Sequence, residues 1–382
     1  MILSKKHQCT IVFIGGVILF TSLTGCTEQM QQQIPVSFPE ETPSDIIRDQ
    51  PPILPDWTDG DYHDYEKMVT TLSDYTTTFP ELAYQFSIGK SVDGRDIWCL
   101  RITNEQASDT KYACLIDGCI HGNEWEGGEA CLYLAEYLLI NFGKNATLTR
   151  LLNTTEVYII PMINPDGRVL DQRWNDNGID LNRNFDVKFG RLSGRSIRIG
   201  KLFGIIKIPH IGPFTNCGRR PFSEPESKAV RDFIISLYDE HEFSFYLDCH
   251  TAQHMIVHPW TIFRPPFKIT AQQQSVFTQV ESWVENNTEY PPFRGKHVYT
   301  SGDAMNWVFK EFQIPSFTLE LLSRDYEPMY GHGRHNQLVH WMEITLPITV
   351  FLIVNIENLY QWQEPTIQPP LPEGVPSPPL SP

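Results

Sequence analysis

The sequence predicts an α/β fold: a single domain on a mixed, mostly parallel β-sheet, covered by helices on both faces. Two observations carry this. Short apolar segments rich in β-formers, such as "TEVYIIPMIN" (155–164) and "FSFYLDC" (243–249), alternate with segments whose apolar residues recur at helical spacing. Strands that are apolar on both faces need cover on both faces, and the intervening helices can supply it. With 382 residues, 41% hydrophobic and 12% aromatic, the chain has material for a large packed core. A formal charge of −16 excludes a general nucleic-acid binder and favours a self-repelling, soluble surface.

Along the chain, residues 1–25 read as an export leader, with Lys5 and Lys6 ahead of the apolar run "IVFIGGVILFTSLT" (11–24). That run is short for a membrane span. Leu23-Thr24-Gly25-Cys26 resembles the lipobox of prokaryotic lipoproteins, which implies membrane attachment through a lipidated Cys26; a plain signal peptide cut nearby is the alternative. Either makes the protein exported, facing the periplasm or the cell exterior. Residues 26–55 are rich in Pro and Gln and read as a tether, and 363–382 as a Pro-rich disordered tail, leaving 56–362 as the domain.

Within the domain, 62–80 reads as a helix ended by Pro80, 96–103 and 111–118 as strands, and 127–143 as a helix stopped at Gly143. Residues 155–164, 243–249 and 315–321 are strands, 272–287 is a helix, and 344–362 is a closing helix disturbed near Pro347. Cys99, Cys114, Cys119, Cys131, Cys217 and Cys249 remain once Cys9 and Cys26 are set aside. An exported chain permits disulfides, but most of these lie in apolar segments where a buried thiol is equally natural. The stretch 187–220 carries eight Lys or Arg and no acid. It reads as a solvated loop, the alternative being a basic rim for anionic substrates or a membrane surface.

The chemistry begins at "HGNEWE" (121–126). His-x-x-Glu occurs at His121/Glu124, His63/Glu66 and His340/Glu343, so spacing alone decides nothing. His121 and Glu124 follow the carboxyl end of a predicted strand, where α/β proteins bind ligands, whereas the other pairs fall on helices. His250 also ends a strand and completes a two-His, one-Glu metal set, with His254 in reserve. Arg173, Asn182 and Arg183 crowd behind the strand at 155–164; guanidinium groups bind carboxylates and stabilise oxyanions. Glu320 sits inside the apolar run "SFTLELL", costly for a carboxylate unless it is paired or functional; an edge-strand Glu facing water is the plainer alternative.

Together "HGNEWE", "NPDGR", Arg173-Trp174-Asn175, "GIDLNRNF", "PFSEPES" (221–227), "DCH", "YTSG" (299–302) and "FTLEL" resemble, in order, the zinc metallocarboxypeptidase family, of which carboxypeptidase A is the familiar member. The resemblance covers roughly the whole domain. It implies one Zn2+ per chain on His121, Glu124 and His250, Glu320 as general base and acid, and Arg173 as the oxyanion-stabilising group. Asn182, Arg183 and Tyr299 would grip a substrate's terminal carboxylate, and Asp180 would hydrogen-bond the first histidine ligand. The implied activity is hydrolysis of the C-terminal bond of a peptide with a free carboxylate. Related alternatives are a zinc peptidase trimming cell-wall peptides and a zinc amidase acting on acylated amino acids. Met305 would floor the specificity pocket, favouring apolar over basic C-terminal side chains. The stretch between Cys26 and residue 56 leaves no room for the inhibitory pro-domain of digestive relatives, so activation by its removal is not expected. A monomer is expected.

Overall fold

The computed structural model describes residues 53–107, 111–190, 197–198, 205–206, 216–259, 269–291, 301–322 and 337–361. The leader, Cys26, the tether up to residue 52, the tail, Tyr299 and most of 191–215 lie outside the described residues.

Nine strands are described: β1 (Ala83–Lys90), β2 (Asp96–Ile102), β3 (Tyr112–Gly118), β4 (Thr155–Ile160), β5 (Ile197–Arg198), β6 (Ile205–Ile206), β7 (Glu242–Thr251), β8 (Met255–Val257) and β9 (Ser316–Leu321). The fifth and sixth pair as a small ribbon; the others form one sheet in the order β1-β2-β4-β3-β7-β9-β8. The central joints β4–β3, β3–β7 and β7–β9 are parallel. The outer joints β1–β2, β2–β4 and β8–β9 are antiparallel. The parallel character expected from the sequence thus belongs to the centre, where the strands are apolar on both faces.

The helices are α1 (Tyr65–Thr78), α2 (Trp125–Asn141), α3 (Ala146–Thr154), α4 (Pro165–Val169), α5 (Pro225–Glu240), α6 (Ala271–Asn287), α7 (Ala304–Phe312), α8 (Leu338–Val354) and α9 (Ile356–Gln361). One face of the sheet buries Cys114, Ile116, Leu247, Phe317 and Leu319 against Met68 of α1, Tyr133 of α2, Phe277 of α6 and Phe351 of α8. The other face buries Ala113, Leu115 and Tyr246 against Val230 and Phe233 of α5 and Trp307 and Val308 of α7. Each fully buried Leu or Phe in such layers contributes roughly 1.5–3 kcal/mol.

Strand alternation then positions the chemistry. On the α5/α7 face, β3, β7 and β9 change from apolar to polar toward their carboxyl ends. Asp117, Asp248 and Thr318 share one row of the register, and His250 and Glu320 share another.

Two expectations are corrected. The closing helix is not disturbed at Pro347, which lies inside α8 between buried Leu346 and Ile348. The break falls at Asn355, whose side-chain amide donates to Phe351 O and competes for that carbonyl. His63 is also not helical: it precedes α1, whose N-cap Asp64 accepts from Lys67 N, so only Glu66 lies on that helix. Among the described residues Cys99, Cys114, Cys119, Cys131 and Cys249 are free and buried, and Cys217 is buried.

Candidate metal centre

β3 ends at Gly118, and the following loop is fixed by the segment just after β4: Ile163 N donates to Gly118 O and Asn164 N to Cys119 O. Gly122 is obligatory, because a Cβ there would lie 2.1 Å from Gly167 C. This clamps His121 against the "NPDGR" turn. Glu124 is the N-cap of α2, where the helix dipole favours a negative charge. Gly127, in the first turn, lets α2 approach the end of β7; a Cβ there would meet Cys249 O at 2.3 Å. The helix thereby brings Glu124 to His250.

The three side chains converge. His121 Nδ1 lies 2.7 Å from Glu124 Oε1 and His250 Nδ1 lies 2.7 Å from Glu124 Oε2. All three residues are buried, and one donor atom from each falls within a span of 4.8 Å. Burial works to raise the Glu124 pKa, but His121 and His250 overcome it and hold the carboxylate well below its usual range. Burial opposes protonation of His250, yet Asp248 and Glu124 raise its pKa well above 6.5. Two imidazole nitrogens converging on one buried carboxylate mark a place where a single divalent cation fits. Two imidazole nitrogens and one carboxylate are a familiar donor set of catalytic zinc, which leaves a position open.

Each imidazole turns its other nitrogen toward a carboxylate. His121 Nε2 is 3.1 Å from Asp180 Oδ1, and His250 Nε2 is 2.8 Å from Asp248 Oδ2. With Nε2 donating there, Nδ1 is free to present a lone pair to an ion.

Arg173 frames the same space. Its Nε donates to Asp180 Oδ2 at 2.9 Å and its Nη1 to Glu124 Oε1 at 3.1 Å. Burial alone would raise the Asp180 pKa; Arg173, His121 and Arg183 hold it well below the carboxylate range. The loop carrying Arg173 is tied down by Asn175, whose Nδ2 donates to Glu224 Oε2 and Glu226 Oε2, each at 3.0 Å. Burial pushes Glu226 up to about 7, partly offset by its hydrogen bonds. Glu320 stands beside His250 in the β7–β9 register and is partly exposed. Burial pushes its pKa up to about 7; Glu124 adds to the rise, and His250, His121 and Arg173 oppose it.

Asn182 is buried against this group. Its Oδ1 accepts from Ala304 N at 2.8 Å, which fixes the amide so that Nδ2 donates to Asp248 Oδ2 at 3.4 Å, beside the His250 ring. Arg183 Nη1 donates to Asn182 O at 2.5 Å. Met305 is buried at the start of α7, and Thr318 Oγ1 donates to its sulfur at 3.4 Å. Tyr299 lies outside the described residues. The reserve ligand His254 packs instead edge-on against Tyr290 and Trp341. The other His-x-x-Glu matches stand elsewhere: His63 pairs with Glu129 at 2.7 Å, and His340 is on α8.

A family model described as zinc carboxypeptidase matches residues 68–334. The chain belongs to the zinc carboxypeptidase family. Human carboxypeptidase A6 is 27% identical over 283 residues, which is 69% of this chain and 61% of that protein. Rat carboxypeptidase B2 is 28% identical over 281 residues, 68% of this chain and 63% of that protein. The chain therefore spans about three fifths of the length of these relatives. Carboxypeptidase A from Helicoverpa armigera has the same fold, with a TM-score of 0.60 at 22% identity over 80% of this chain and 75% of that one. The family uses zinc, and the His121–Glu124–His250 group is what this chain offers to hold it.

Sequence reasoning assigned no role to Asp248. The signal was present: alternate residues of a strand share a face, so an acid two positions before His250 stands on its side of the sheet.

Proposed function

We propose that this chain is a zinc metallocarboxypeptidase that removes the C-terminal residue of peptides carrying a free carboxylate. The observation that carries this reading is the buried convergence of His121, Glu124 and His250, with Glu320 and Arg173 on its border. His121, Glu124 and His250 would hold the zinc, which would supply Lewis acidity to activate a water and polarise the scissile carbonyl. Glu320 accepts that water's proton on its carboxylate and returns it to the leaving amine, a role suited to an acid whose pKa lies near neutrality. Arg173 turns a guanidinium toward the developing oxyanion. Arg183 and Asn182, consecutive beside the ion-binding group, are the candidates for holding the substrate's terminal carboxylate, together with Tyr299. A pocket floored by Met305 favours an apolar terminal side chain. The leader-like residues 1–25 support export of this activity, and Leu23-Thr24-Gly25-Cys26 supports attachment through a lipidated Cys26, a plain cleaved signal peptide being the alternative.

The test is release of free amino acid from N-blocked dipeptides, each compared with its C-terminal amide, with and without a zinc chelator. The panel includes wall-type peptides ending in D-residues. Release that needs zinc and a free carboxylate is expected; equal release from the amides, or none from any peptide, would overturn the reading.

A further inference from the structure

Behind His250 lies a second buried carboxyl group that the proposed chemistry does not use. Asp117 of β3 is the register partner of Asp248 of β7, and both residues are fully buried. Tyr246, two residues before Asp248 and also fully buried, lies with Asp248 beside the Asp117 carboxyl. Four polar atoms there have no other partner: both carboxyl oxygens of Asp117, Asp248 Oδ1 and the Tyr246 hydroxyl. Asp248 Oδ2, by contrast, is taken by His250 Nε2 at 2.8 Å and by Asn182 Nδ2 at 3.4 Å.

Buried polar groups left unpaired are costly, and two neighbouring buried carboxylates more so. One arrangement satisfies all four atoms: Asp117 carries a proton and donates it to Asp248 Oδ1, while Tyr246 O–H donates to the other Asp117 oxygen. Burial and the Asp248 charge both push the Asp117 pKa well above the carboxylate range, in keeping with this. The second oxygen of Asp248 is thereby fixed toward His250.

We propose that Asp117 is a positioning residue for the metal centre: as a neutral acid it hydrogen-bonds Asp248 across β3 and β7 and so fixes the carboxylate that orients His250. The assignment rests on the zinc-binding reading of His121, Glu124 and His250.

The experiment measures zinc affinity of the full chain by competition with a chromophoric chelator, so it does not depend on peptidase activity. Asp117→Asn keeps a donor for Asp248 and an acceptor for Tyr246, and should bind zinc like the wild type. Asp117→Leu keeps the branched shape and removes both, and should weaken zinc binding by about tenfold. Tyr246→Phe removes one link and should give a smaller loss. Thermal unfolding of the metal-free variants separates a merely structural role, which would lower the melting temperature and leave zinc affinity untouched. Equal loss in Asn and Leu variants, or unchanged affinity in both, overturns the proposal. Should Asp117→Leu fail to fold, infrared spectra at neutral pH decide: a protonated-carboxyl band present in the wild type and missing from Asp117→Asn is expected, and identical spectra overturn it. A wild type that binds no zinc overturns the metal centre and this assignment with it; a wild type that binds zinc without cleaving peptides removes only the proposed activity.

Discussion

The two histidines of the candidate centre are braced alike at first contact and unlike one step further out. His121 leans on Asp180, which is held by the Arg173 guanidinium on a loop. His250 leans on Asp248, which faces another buried acid within the central sheet. The first brace joins the ion to the group proposed to stabilise the oxyanion; the second joins it to the core. The contrast teaches that loss of metal and loss of chemistry need not go together, and that the side on which a residue stands decides which is lost.

The largest effect separates chemistry from both braces. Glu320→Gln should lower turnover by at least ~10²–10⁴ and leave bound zinc unchanged, as read by single-turnover kinetics and metal analysis. Near-normal turnover would remove Glu320 from its role. The wild-type rate should also fall on the acid side as Glu320 takes up a proton. Its pKa of about 7 is that of the metal-free chain, and a divalent charge nearby draws the acid limb below that value.

Next, Arg173→Ala strikes the His121 side. Turnover should fall by ~10²–10³, with zinc affinity reduced where the lost hydrogen bond lets Asp180 swing away from His121. The comparison itself is sharpened by Asp180→Asn against Asp248→Asn. Each should weaken zinc by about 10–100-fold. At saturating zinc, only Asp180→Asn should retain a defect in turnover, because it alone releases Arg173. Equal kcat values for the two would break the distinction.

The smallest effect lies at Glu226, in the first turn of α5, which holds the Arg173 loop through Asn175. Its folded-state pKa is raised from 4.5 to about 7, so its contribution is favourable at acid pH and is lost as pH rises through about 7. Urea unfolding should show wild-type stability falling by on the order of 1 kcal/mol across that window, and a flatter profile for Glu226→Gln. A slope of the opposite sign would show that the buried acid is ionised throughout.

Much of this was legible because the central strands are apolar on both faces and announce themselves as continuous runs. β1, "AYQFSIGK", is neither continuous nor strictly alternating in its burial, and β8 has only three residues, so neither stood out. The ligand set was readable because each member lies at or just beyond a strand's carboxyl end. Asp248 could have been read from strand alternation with His250. Asp117 could not: 111–118 reads as a strand, but only the β3–β7 register sets its aspartate beside a second acid. Pro347 misled for the opposite reason, since dense apolar contact on both sides holds α8 together across a proline.

Gly127 has a consequence beyond its own turn. Two of the three ligands ride on separate elements, and their spacing is set where α2 touches the Cys249 carbonyl without any side chain between them. A lone methyl group would act as a wedge, prising Glu124 off His250 while leaving every donor atom in the polypeptide. The grip on the ion is therefore calibrated by a residue that never touches it.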